Sequence, residues 1–211
     1  MTEDLPYRYD VEVVGLLASP AHRWDGRPDP ALAGPVERTD RVEVRSGLGV
    51  VGDRYYGRPA HRDASVTVLA VEGPERLADE LGSALGTLAG TLAPFDPLAT
   101  RRNVVLRGAE VEALRGQPFS LDCGEGVVVL AGGRPAHPCA WLDLALAPGA
   151  HRGLRGRAGV RCAPQSDGVL RLGPAVLRSA VPLDPARAGD AVRSAPRPPT
   201  GRGPGQRSAS V

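Results

Sequence analysis

Lysine is absent from the 211 residues, so all 26 side chains counted as lysine or arginine are arginines. Without a lysine amine the chain cannot form a Schiff base, which makes pyridoxal phosphate binding unexpected. It carries instead planar, permanently charged forks that suit phosphate and carboxylate groups. Base-composition bias in the coding genome is the simplest cause of the excess. A dominant charge is missing too: 26 basic against 24 acidic side chains leave a net charge of +2, too even to point to nucleic acid or a membrane surface as partner. Cysteine is scarce. Cys123, Cys139 and Cys162 are far apart and odd in number, with no CxxC pair. This argues against a secreted disulfide framework and against an iron–sulfur cluster held by this chain alone. No run approaches the roughly twenty apolar residues of a membrane span, and Met1 to Ala18 lacks a basic n-region and a cleavage site. The expectation is a soluble, cytoplasmic protein.

What is present reads as many short strands. Tyr9 to Leu17 alternates, as does Arg41 to Arg45, and the β-branched run Ser65 to Val71 has the pattern of a buried strand. Ala21 to Pro35, with His22, Trp24 and Asp25, reads as an irregular surface connection, and Gly47 to Gly57 as a glycine-rich turn. Leucines at 77, 81 and 85 predict a helix over Glu75 to Leu85, followed by a loose connector from Gly86 to Pro97. Further strands are predicted at Thr100 to Gly108, Gln117 to Leu121, Val127 to Leu130, Val160 to Ala163, Val169 to Leu172 and Val176 to Val181, with one helical turn at Val111 to Gly116. A turn at Ser166-Asp167-Gly168 joins two of these strands. The pattern predicts a mostly β, β-rich α+β domain over residues 1–183, barrel or sandwich. Asp184 to Val211 is rich in Pro, Gly, Ser, Ala and Arg and predicts a disordered tail, because it has too little apolar surface to offset ordering entropy.

The chemistry concentrates at Ala131 to Asp143. Cys139 follows Pro138 and precedes a run, Ala140 to Ala147, with Trp141, Leu142, Leu144 and Leu146, which predicts a short helix. Cys139 is then expected in the first turn, where free backbone N–H groups and the helix dipole stabilise a thiolate, the form that acts as nucleophile and metal ligand. The alternative is a buried structural cysteine. Cys123 and Cys162 fall in or near strands and read as core or edge residues.

Taken in order, several pieces resemble the MOSC domain, named for the carboxy-terminal domain of molybdenum-cofactor sulfurases. They are Gly47 to Tyr55 with Arg62 and Val66-Thr67-Val68-Leu69; Thr100-Arg101-Arg102-Asn103-Val104-Val105 with Gly108; Leu114 to Phe119; Pro138-Cys139 with Trp141-Leu142; and Leu154 to Arg161 with Gly168. They span about Val42 to Gly173. The resemblance implies a β-barrel like the small domain of pyruvate kinase, with a few short helices. It also implies a molybdenum cofactor (molybdopterin), with Cys139 as the metal ligand and catalytic residue. Arg62, Arg101, Arg102, Asn103, Asp53 and Thr67 are implied as cofactor contacts. The amidoxime-reducing branch of the family implies reduction of N-hydroxylated compounds. An enzyme of this kind without its own cluster needs electrons from a separate flavin or iron–sulfur reductase.

The residue types agree with such a group. One thiolate completes a metal centre already bound by a dithiolene, and Arg101, Asn103, Arg62 and the glycine-rich turn offer donors to a phosphate. Two residues depart from the family pattern beside the cysteine, where Ala136 and His137 stand in place of a frequent cysteine and an acidic residue; Arg157-Ala158-Gly159 replaces the usual Arg-Gly-Gly. Other readings remain open. Asp53-Arg54 is a site element or a turn-stabilising pair, Arg155 and Arg157 read as surface residues, and His137 reads as a loop histidine, since no zinc-ligand spacing accompanies it. Function divides three ways: a molybdenum-dependent oxidoreductase, a metal-free sulfur carrier with a persulfide on Cys139, or a module that binds and delivers the cofactor.

Overall fold

The computed structural model describes residues 5–22, 24, 26–32, 36–84 and 95–192. Among the described residues there are eleven strands: β1 (Tyr7–Leu17), β2 (Arg38–Thr39), β3 (Arg41–Arg45), β4 (Gly49–Val50), β5 (Val66–Ala70), β6 (Val104–Arg107), β7 (Pro118–Asp122), β8 (Val127–Pro135), β9 (Val160–Pro164), β10 (Gly168–Arg171) and β11 (Gly173–Ser179). The helices are α1 (Glu72–Ala84), α2 (Trp141–Ala145) and α3 (Ala150–Gly153).

Seven strands close into a barrel in the order β11, β7, β8, β9, β5, β6, β1, with β1 returning to β11. Closure removes the exposed edges that an open sheet would leave. The barrel is antiparallel except for β5 and β6, which run parallel and are connected through α1, as a parallel pair requires. The alternation read from the sequence becomes the inward face: Val13, Val66, Val68, Leu106, Phe119, Leu121, Leu130, Val160, Cys162 and Leu177 are all buried in one core. Burial at about 25 cal/mol per Å² of apolar surface is what holds such an interior together. A second cluster lies where the helices meet. Leu77 of α1, Leu142 of α2, Ala150 of α3, Leu154 and Ala158 pack together, with Trp24 and Leu81 against them.

Four differences from the sequence reading have physical causes. β10 does not pair with β9 through the Ser166-Asp167-Gly168 turn; it joins β3 and β4 in a separate three-stranded sheet. The Asp167 carboxylate makes that switch, accepting from Ser46 N at 2.8 Å and from Arg45 Nη1 at 2.9 Å. β8 runs on past Leu130 to Pro135, because Gly132 lets the backbone lie where a Cβ would stand 1.9 Å from the Leu114 carbonyl oxygen. Arg157 is not a surface residue. It is buried and its guanidinium grips Glu80 of α1, with Nη1 donating at 2.8 Å. Residues 184–192, expected to belong to the tail, are folded against the domain. Asp184 caps a 3₁₀ turn, Pro185–Arg187, by accepting from Ala186 N, and Val192 N donates to Gly156 O at 3.1 Å. Residues 193–211, like most of the expected connector after Gly86, lie outside the described residues.

Candidate functional site

The Cys139 segment leaves the end of β8 and is fastened at its base. Ala136 is buried, and its N–H donates to Gly159 O at 2.8 Å at the start of β9. Cys139 is not in the first helical turn: α2 starts at Trp141 with Ala140 as its N-cap, so Cys139 stands one residue before the cap. Its carbonyl accepts from Leu142 N at 3.0 Å, which ties the segment to the helix while leaving the side chain exposed. A helix of five residues offers little dipole. The positive field at this cysteine comes from arginines.

Arg102 is the central one. It is buried, and its guanidinium donates to four carbonyl oxygens: Nε to Ala158 at 2.9 Å, Nη1 to Thr100 at 3.2 Å, and Nη2 to His137 at 3.3 Å and Ala136 at 3.4 Å. Two of these carbonyls belong to the cysteine segment, so a single rigid fork sets that segment against β6 and the strand after Ala158. Burial, and next the charge of Arg161, push the Arg102 guanidinium down to about 10. It therefore stays charged at neutral pH.

Arg101 adopts φ +58°, alone among the described non-glycine residues in having positive φ. The left-handed conformation costs about 1–2 kcal/mol. It follows the 3₁₀ turn Pro97–Thr100, which Asp96 caps, and it turns consecutive arginines into the same space. The Arg101 guanidinium donates to Ser19 Oγ, pairs with Glu37 at 3.3 Å and lies 6.0 Å from the Trp24 ring centre.

These side chains line an open hollow of about 160 Å³. Arg54, Arg101, Arg102 and Arg161 supply its charge, Cys139 its thiol, and His22, Trp24, Tyr55 and His137 its rings, with Leu142 at the wall; among the described residues no carboxylate lines it. Trp24 stacks parallel to Trp141, with centroids 6.3 Å apart, so the loop before β2 is held on the helix that follows Cys139. A second hollow, about 260 Å³, shares His22, Arg54 and Tyr55 with the first and extends to Arg58 and His61. Two polar atoms there are buried without a partner, Arg54 Nε and His61 Nδ1. Desolvation first, then the charges of Arg161, Arg58, Arg134 and Arg54, hold the His61 imidazole below its ordinary range. Among the described residues no group of three His, Cys, Asp or Glu side chains lies together to hold a metal ion.

The expected site residues thus divide. Cys139, Arg101 and Arg102 meet in one hollow. Asp53, Thr67 and Asn103 form a buried network behind its wall: Asn103 Oδ1 accepts from Thr67 N at 3.0 Å and Thr67 Oγ1 at 2.8 Å, and Asn103 Nδ2 donates to Asp53 Oδ2 at 3.1 Å. Asp53 in turn accepts from Ser19 N at 3.3 Å and Tyr55 N at 3.0 Å, which places the Arg101 partner and the Tyr55 ring. Arg62 is exposed on the turn Pro59–Ala64 and lines neither hollow. Sequence reasoning missed Trp24, Tyr55 and Arg161. Arg161 had one signal: in β9 it alternates with the buried Val160 and Cys162, which sends it to the face opposite the core.

The sequence matches no protein-family model and no curated protein. In structure the chain is similar to the YuaD protein of Bacillus subtilis, with a TM-score of 0.59 and 16% identity over 83% of this chain and 99% of that one. Overlap with YiiM from Escherichia coli is weaker, at TM-score 0.49 and 20% identity over 87% of this chain and 76% of that chain. The likeness to YuaD concerns the fold: a mostly β, seven-stranded barrel with a few short helices, the architecture expected from the MOSC resemblance.

Proposed function

We propose that the chain is a MOSC-type oxidoreductase that holds a molybdenum cofactor in the cleft at Cys139 and reduces N-hydroxylated compounds. The observation that carries this reading is one exposed thiol that shares a single hollow with four arginines. The donor set fits the group. A cofactor that brings its own dithiolene needs one soft protein ligand rather than a cluster of them, and its phosphate needs fixed cationic forks. The guanidinium groups of Arg54 and Arg161 in this hollow, with Arg58 in the adjoining one, offer such donors beyond the thiol.

Cys139 is the thiol suited to the task. Cys162 is buried in the barrel and Cys123 half-buried against its core, and desolvation raises both, which keeps them as thiols. When bound, the metal centre supplies the oxygen-atom chemistry, and the protein supplies position and charge. Reduction of an N-hydroxyl group consumes two electrons and two protons and releases water. A separate flavin or iron–sulfur reductase is the electron source. His137 and Tyr55 line the hollow, and side chains of these two types can serve as proton carriers in catalysis.

The exposure of Cys139 favours one other reading, a sulfur carrier that hands on a persulfide. Metal analysis of protein from a cofactor-producing host, wild type beside Cys139→Ala, separates the two. Near-stoichiometric molybdenum in the wild type and little in the variant is expected. Metal in neither, with an added mass of about one sulfur on Cys139, would overturn the oxidoreductase in favour of the carrier.

A further inference from the structure

A third hollow, about 470 Å³, opens on the other side of the cysteine segment. His137 is common to this hollow and to that of Cys139, and Pro138, next to the cysteine, forms part of its wall. The remaining wall includes Pro135, Arg115, Arg155, Gly156 and Val192. Its size is that of a small-molecule site.

The hollow is built rather than incidental. Gly156 sits at φ +85°, and a Cβ there would come within 2.6 Å of Val192 O, so glycine lets the segment at Val192 lie against this loop. Arg115 is half-buried; its Nη2 donates to Gly156 O at 2.9 Å, and its Nε is buried with no partner. The facing carboxylate, Glu112, is 3.7 Å from Arg115 Nη2, beyond hydrogen-bond distance, and is itself buried. Arg155 is exposed and forms no ion pair with any described residue. Several other exposed arginines are paired: Arg41 and Arg171 with Glu125, Arg107 with Glu75, Arg45 with Asp167.

We propose that this hollow is a substrate subsite for a carboxylate, with the guanidinium groups of Arg155 and Arg115, both in its wall, as the cationic groups that receive it. It rests on the oxidoreductase reading. The carboxylate end of an N-hydroxylated substrate lies between Arg115 and Arg155, its apolar body lies against Pro135 and Pro138, and its N–O end passes His137 toward Cys139. Because Glu112 partly offsets Arg115, the hollow suits a monoanion better than a polyphosphate. A guanidinium fork matches the two oxygens of a carboxylate.

The test is calorimetric binding of 4-carboxybenzamidoxime and its methyl ester to the full-length protein, with no turnover needed. The wild type is expected to bind the carboxylate at least about tenfold more tightly than the ester, which corresponds to about 1.4 kcal/mol. Arg155→Ala reduces that preference several-fold, and Arg155→Glu abolishes it. Arg155 is exposed, so these variants leave the fold in place. Equal binding of both compounds by the wild type would overturn the proposal. So would a preference that survives Arg155→Glu and is lost in Arg161→Gln, which would place the anion in the Cys139 hollow. Molybdenum content is measured on the same samples: absent metal with an intact preference sinks the oxidoreductase alone, and normal metal without a preference sinks the subsite alone.

Discussion

The side-chain amide of Asn103 donates to the Asp53 carboxylate at 3.1 Å, joining two segments fifty positions apart behind the wall of the cysteine hollow. Both residues have the chemistry of ligand contacts, yet each is used by the protein on itself. Asn103 also fixes Thr67 and the Leu17 carbonyl, and Asp53 fixes Ser19 and Tyr55. Asn103→Ala therefore orphans several buried groups at once. Urea unfolding should show a loss of about 2–3 kcal/mol.

Arg102 bridges the carbonyls of Thr100, Ala136, His137 and Ala158. Arg102→Met keeps bulk and leaves four oxygens without their donor. The expected outcome is a loss of about 3 kcal/mol or more in unfolding free energy and loss of metal from protein made in a cofactor-producing host. Arg102→Lys should not restore either, because a point-like ammonium cannot span the four acceptors.

Glu112 is buried, and burial pushes its carboxyl up to about 7 against the lowering influence of the Gly159 N–H and Arg115. In the unfolded chain the same group ionises near 4.5. Between these values the folded state retains a proton that the unfolded state has lost, so stability falls as pH rises from about 4.5 to 7 and levels off above. The cost is at most roughly 3 kcal/mol. Glu112→Gln keeps an acceptor for the Gly159 N–H and removes the titration. The midpoint of urea unfolding in the variant should lose this component of the pH slope and lie above the wild type at pH 8.

His61 is held below its ordinary range by desolvation and then by arginines, with Arg161 first among them. Removing that charge raises its midpoint. Arg161→Gln should shift the imidazole proton resonances of His61, followed by NMR titration, to a higher midpoint, and inorganic phosphate bound in the cleft should move the wild-type midpoint in the same direction. An unchanged midpoint in the variant would show that Arg161 does not act on His61.

Much of the chain was legible because its signals are local. Arg41 to Arg45 and the β5 run show period-two or β-branched patterns that need no partner to be recognised, and the 77 and 81 leucines mark the buried face of α1. Cys139 stood out because Pro138 and the apolar run after it bracket a single thiol. The helix starts one to two residues later than Pro138 suggests. Pro138 is compatible with a helical start, but Ala140 caps α2 and the segment before it is tied to Arg102.

Composition and pattern by themselves determined a lysine-free, mostly β domain with one cysteine poised beside a helix. Which residues surround that cysteine was decided by barrel closure. Trp24, Arg54 and Arg161 lie far apart in sequence and share one wall only because β5, β9 and the loops after β1 and β4 converge at one end. Closure also reassigned roles. Asn103 and Thr67 pair across β5 and the entrance to β6, so their polar atoms satisfy one another before any ligand can claim them. A buried polar group must find a partner, and which partner is within reach is a property of the folded chain.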